Sequence, residues 1–128
     1  MTRTAAVLDY DAGNVRSAKR GFDAAGADAR VVRTAEEARR ADVLVIPGVG
    51  NFDSCMAHLR ASGLEDVIRD AIAAERPVFG ICVGMQLLYR GSEEGEEPGL
   101  GLLPGAVERF PSTAVVPHIG WDVVRAAE

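Results

Sequence analysis

The stretch that most constrains this chain is Pro77-Val78-Phe79-Gly80-Ile81-Cys82-Val83-Gly84-Met85-Gln86-Leu87-Leu88-Tyr89. A short apolar run with β-branched and aromatic residues reads as a buried strand, and the Met85-to-Tyr89 segment reads as helix. Cys82 therefore stands at the corner between them, with Gly80 two residues before it and Gly84 two after. That spacing is the one a nucleophile elbow needs, because a Cβ at either flanking position would collide with neighbouring backbone in so sharp a turn. A helix N-terminus next to the sulfur favours thiolate, the reactive species, through its dipole and open N–H groups. The N–H of Val83 would then face a substrate carbonyl oxygen as half of an oxyanion hole. The competing reading is a packed core cysteine, since free cysteine is often buried; the glycine frame at a strand-to-helix junction favours the elbow.

The 128 residues make one domain, long enough for a sizeable single core. About half are apolar and the charged fraction is ordinary, which points to a globular chain. No apolar run reaches the ~20 residues of a membrane helix. The N-terminus lacks the pattern of a signal peptide, so a cytoplasmic protein without membrane association is expected. The net charge of −5 and the scattered arginines argue against a nucleic-acid partner. Cys55 and Cys82 are expected to be free thiols, and no Cys/His spacing resembles a metal site, so neither metal nor cofactor is expected.

Strand and helix patterns alternate along the chain. Thr4 to Leu8 is a small apolar strand, and a helix runs from about Asn14 to Ala25, closed by Gly26. Locally, Asn14 is its N-cap. Ala29 to Val32 is a second strand, and Thr34-Ala35-Glu36-Glu37 is a capping box opening a helix to about Arg40. Val43 to Ile46 is apolar on both faces, as a parallel strand covered on both sides must be. The architecture implied is α/β: an open, mostly parallel sheet with helices on both faces. Pro47-Gly48-Val49-Gly50 follows the third strand at the end where ligands of such sheets bind; with no third glycine and no Gly-Lys-Ser/Thr it is a poor phosphate loop.

Helices follow from about Phe52 to Ala61 and, after Gly63, to about Ala74. The second buries a stripe of Leu64, Val67, Ile68, Ala71 and Ile72. Cys55 lacks a glycine frame and reads as packing, and His58 as a surface or half-buried side chain. Residues 91–99, rich in Glu and Gly, read as a solvated loop with carboxylates facing water. Leu100 to Pro104 reads as a turn. Ala106 to Phe110, Val115-Val116 and Asp122 to Val124 read as short strands.

Gly80-Ile81-Cys82-Val83-Gly84-Met85-Gln86-Leu87-Leu88 resembles the nucleophile motif of the class I (triad) glutamine amidotransferases, whose fold is flavodoxin-like. Its Val-Gly-Met-Gln-Leu-Leu form is similar to that of the glutaminase subunits of imidazole glycerol phosphate synthase. Asp9 to Ser17, Ile46 to Phe52 and Val116 to Trp121 resemble further segments of those subunits, in the same order. Asp11, where a glycine is expected, and Asp122, in place of an asparagine, depart from the pattern.

The resemblance implies that Cys82 attacks the side-chain amide of glutamine and forms a thioester that water hydrolyses to glutamate. It implies an oxyanion hole from Val83 and the turn at Val49 and Gly50, with a peptide flip eased by the glycines. It implies glutamine contacts at Gly48, Gly50 and Gln86, where the residue itself allows a solvent-facing helix position. Asn14, His118 and Trp121 are expected at the interface with a (β/α)8-barrel cyclase, which would receive the ammonia to make imidazole glycerol phosphate in histidine biosynthesis. His118 by itself also reads as a turn histidine. The catalytic His and Glu of the family lie in a later segment, so residues 1–128 are expected to be an amidotransferase domain incomplete at its C-terminus and without turnover alone. Two alternatives stay open: a class I amidotransferase of the pyridoxal phosphate or aminobenzoate type, and a non-catalytic flavodoxin-like module.

Overall fold

The computed structural model describes residues 1–127. Its elements run β1 (Thr4–Leu8), α1 (Val15–Ala24), β2 (Asp28–Val32), α2 (Ala35–Arg39), β3 (Val43–Gly48), α3 (Phe52–Ser62), α4 (Glu65–Ala73), β4 (Val78–Cys82) and α5 (Val83–Gln86). The four strands form one parallel sheet in the order β2-β1-β3-β4. The chain moves outward one way from β1 to β2 and the other way through β3 to β4. The loops after β1 and β3 therefore flank the point where the strand order reverses, the usual ligand crevice of an open α/β sheet.

Alternation along the strands builds two cores. Ala5, Val7 and Val45 point to the face that α1 covers with Ala18, Val15 and Phe22. Ala6, Leu8, Leu44 and Ile46 point to the other, where α2, α3 and α4 contribute Ala38, Phe52, Met56, Leu59, Val67 and Ile68. Helices thus lie on both faces, as expected. Each large aliphatic side chain so buried contributes on the order of 1.5–3 kcal/mol. The side covered by α1 alone is incompletely clothed at β4, where Phe79 stays 55% exposed and meets Phe22 edge-on at 5.3 Å.

Local signals act where the sequence places them. The Thr34 side chain accepts from the Glu37 N–H and the Glu37 side chain returns to the Thr34 N–H, closing the capping box. Asn14 caps α1 through the Ser17 N–H. The strand carrying the 47–50 turn is longer than expected, because Pro47 and Gly48 still pair with Ile81 and Cys82.

Two expectations are corrected. The segment 91–99 is not a free solvated loop. Glu94 accepts the Phe52 N–H at 3.0 Å, Asp53 accepts the N–H groups of Glu96 and Glu97 at 3.0 Å each, and Glu97 pairs with Arg60. Glu94 serves an open N–H donor at the start of α3, and Asp53 and Arg60 of that helix tie the loop down along it. The strands expected at 106–110, 115–116 and 122–124 do not form. Val107 makes a single bridge to Ser92, and the residues beyond are exposed, with Val115 at 83% and Trp121 at 105%. β-branched composition favours a strand only where a neighbour accepts its hydrogen bonds, and β4 does not pair with this segment. Among the described residues no helix is long and apolar enough to cross a membrane.

Candidate active site

Cys82 occupies the corner between β4 and α5 with φ 56° and ψ −123°, a left-handed backbone that a residue with a Cβ rarely adopts. The surroundings force it. A Cβ on Gly80 would stand 2.5 Å from the Met85 Cα, and one on Gly84 would overlap the Ile46 carbonyl. Strand and helix therefore fold back on each other through the two flanking glycines, and the thiol is lifted outward and exposed. Val83, the first residue of α5, is buried beneath it, and its N–H is among the first helical donors that have no intrahelical acceptor. With only one turn, α5 supplies little of the dipole expected from a longer helix.

The 47–50 turn reaches this corner through the sheet, because Gly48 stands opposite Cys82 in the β3–β4 register. Gly50 has φ 93°, and a cavity of about 590 Å³ is lined by Gly50, Cys82, Val83, Gln86, Glu94 and Arg109, among others. Three expected site residues, Gly50, Val83 and Gln86, thus converge on one cavity with the Cys82 sulfur. Gln86 is half-buried there instead of facing solvent.

Val49 and Gly48 lie on the other side of the turn. They line an apolar groove of about 550 Å³ that also contains Cys82, Asn14, Phe22 and Phe79. The Val49 N–H is held by the Ala12 carbonyl at 2.8 Å, so it reaches an oxyanion only if that peptide turns. Asn14 borders the groove while capping α1; His118 and Trp121 lie exposed in the extended C-terminal segment. Neither His58 nor His118 is among the residues lining the two cavities that contain Cys82.

Two groups of residues escaped the sequence. The wall of the larger cavity includes Glu93, Glu94, Glu108 and Arg109, with the Arg109 N–H donating to Glu93 at 2.7 Å. A net negative wall suits a cationic ammonium and places Arg109 beside it for a carboxylate. The turn itself rests on Tyr10, whose hydroxyl donates to the Pro47 carbonyl, and on Cys55, whose thiol donates to the Val49 carbonyl at 3.1 Å. Burial, with the neighbouring Cys55 thiolate form adding to it, pushes the Tyr10 hydroxyl well above its ordinary range. Burial also raises the Cys55 thiol. Cys55 lies outside the resembling segments, and Tyr10, although inside Asp9 to Ser17, gains its role only through a contact 37 residues away.

A sequence profile for a CobB/CobQ-like glutamine amidotransferase domain matches residues 22–114. The imidazole glycerol phosphate synthase subunit HisH of Gloeothece citriformis is 47% identical over 119 residues, covering 91% of this chain and 56% of that protein. The HisH subunit of Nostoc punctiforme is 48% identical with the same coverage. The chain thus spans 56% of the length of these curated relatives. A crystal structure of a glutamine amidotransferase superposes with a TM-score of 0.71 at 29% identity, over 88% of this chain and 59% of that one. A peptidase E-like protein from Listeria monocytogenes shares the fold alone, with a TM-score of 0.60 at 16% identity. From the profile match and these homologues, the chain belongs to the CobB/CobQ-like glutamine amidotransferase domain family.

Proposed function

We propose that this chain carries the nucleophile and oxyanion hole of a glutaminase. The observation that carries the reading is the strained, outward-facing Cys82 sharing one cavity with Gly50, Val83 and Gln86. In this reading the Cys82 thiolate attacks the glutamine side-chain amide. The carbonyl π pair moves onto oxygen, where N–H groups of Val83 and the 48–50 turn receive it. On collapse the C–N bond breaks, ammonia leaves with a proton from a general acid, and water then cleaves the thioester to glutamate. Gln86 and the acidic wall orient the amino-acid end. No histidine is among the residues lining the cavity, and the acid–base histidine is assigned to the remainder of a longer subunit, of which residues 1–128 form the incomplete amidotransferase domain.

HisH relatives are subunits of imidazole glycerol phosphate synthase. By that homology the ammonia is delivered to a (β/α)8-barrel cyclase subunit, in the cytoplasm, in histidine biosynthesis. Asn14, His118 and Trp121 are assigned to the contact. The fully exposed Trp121 supports this, since an aromatic anchor is the usual centre of such an interface.

A chloromethyl ketone analogue of glutamine tests the active-site reading. The Cys82 sulfur forms a bond to the methylene carbon, the C–Cl bond breaks and chloride leaves. Modification confined to Cys82 and slowed by added glutamine is the expected result. Equal modification of Cys55, or no protection by glutamine, overturns it.

A further inference from the structure

The 47–50 turn is tied down at the Pro47 carbonyl and at the Val49 N–H and carbonyl. Tyr10, 2% exposed, donates its hydroxyl to the Pro47 carbonyl. Ala12 accepts the Val49 N–H, and Cys55, fully buried at the start of α3, donates its thiol to the Val49 carbonyl at 3.1 Å. In a trans peptide the C=O and the following N–H point in opposite directions. A Val49 carbonyl drawn inward to Cys55 therefore turns the Gly50 N–H outward, and Gly50 borders the cavity that holds Cys82 and Val83.

We infer that Tyr10 and Cys55 are positioning residues for this turn, holding residues 47–50 so that the Gly50 N–H faces the Cys82 cavity. The catalytic meaning of the clamp rests on the glutaminase reading; its mechanical content does not. Both donors are held in their protonated forms by burial, so each keeps its hydrogen across the neutral range. The Tyr10 hydroxyl is also 2.9 Å from where a Gly48 Cβ would stand, so it fixes the height of the turn as well as its roll.

Amide hydrogen exchange followed by NMR reads the clamp directly in the full chain, with the Val45 amide in the core of β3 as the internal measure of global opening. Tyr10→Phe and Cys55→Ala should each speed Val49 exchange about tenfold relative to Val45, since the loss of one buried donor frees its carbonyl. Cys55→Ser, which keeps a donor, should restore protection. The same variants are then compared for Cys82 alkylation by the chloromethyl ketone analogue against chloroacetamide, a reagent of similar leaving group without the amino-acid end. Tyr10→Phe and Cys55→Ala should lower that rate ratio about tenfold, and Cys55→Ser should recover it. Val49 exchange that only tracks Val45 in every variant overturns the clamp. Altered exchange with an unchanged ratio overturns its link to the oxyanion. If the unaltered chain shows no preference for the glutamine analogue, the glutaminase reading fails, while the exchange measurements still decide whether Tyr10 and Cys55 hold the turn.

Discussion

Gly48 stands directly across from Cys82 on the neighbouring parallel strand, and the space a side chain would need at 48 is already filled. A Cβ there would lie 2.5 Å from the Gly84 nitrogen and 3.0 Å from the Val83 carbonyl carbon. The oxyanion turn and the elbow are therefore packed main chain against main chain. No side-chain rotation relieves a methyl inserted between them. Gly48→Ala should destabilise the chain by about 3 kcal/mol, at the upper end of the cost of overpacking a core. Gly21, in the middle of α1, has open space around its Cα, so Gly21→Ala should stabilise by about 0.5–1 kcal/mol. Urea unfolding of the two variants checks both signs.

The backbone at Cys82 implies the opposite trade. With φ 56° and ψ −123°, the residue holds a conformation that costs a non-glycine residue about 1–3 kcal/mol. Glycine adopts it freely, although its more flexible unfolded chain offsets part of the gain. Cys82→Gly should therefore raise stability by about 1 kcal/mol while removing the thiol. A midpoint of urea unfolding at or below that of the unaltered chain would show that the corner is relaxed.

The elbow was legible in the sequence because its causes are local. Gly80 and Gly84 are two residues from Cys82, and their steric meaning does not depend on the rest of the fold. The capping box at Thr34 and Glu37 and the Asn14 cap were legible for the same reason. What stayed hidden depends on pairs distant in sequence. Glu94 meets the Phe52 N–H from 42 residues away and Tyr10 meets Pro47 from 37, so residues 91–99 looked like solvated chain and nothing marked Tyr10 as a support of the turn. The strands read at 106–124 show the converse error. Their composition suits a strand, but a strand exists only with a partner, and composition does not reveal one.

Exposure separates the two thiols. Cys82 is exposed, and Cys55 is fully buried in the core with Phe52, Met56 and Leu59. Iodoacetamide at neutral pH should modify Cys82 alone. Cys55 should react only through opening of the fold, at least about a hundredfold more slowly. Both should react alike in urea. Mass spectrometry of peptides from a timed reaction gives the ratio, and comparable native rates would mean that α3 does not cover Cys55.

Acid should weaken the fold through a small set of carboxylates that accept hydrogen bonds. The Thr4 N–H and hydroxyl both donate to Asp42, at 2.8 and 2.9 Å, and hold its carboxyl below the ordinary range. The Thr34 hydroxyl, followed by the N–H groups of Arg33 and Thr34, does the same for Glu37. Lys19 and the Ala29 N–H lower Asp23. Each group is easier to protonate in the unfolded chain, so the unfolded state binds more protons as pH falls into the carboxylate range. The stability these contacts provide is complete above the ordinary carboxylate values, and it is lost as pH drops below them through the lowered native values. Asp42→Asn keeps an oxygen for Thr4 but cannot titrate, so its unfolding midpoint should fall less steeply between about pH 5 and pH 3. Thr34→Ala removes the cap oxygen and the leading support of Glu37. It should cost about 1 kcal/mol at neutral pH and likewise flatten the acid limb. Parallel acid limbs for both variants and the unaltered chain would show that the acid response originates at other groups.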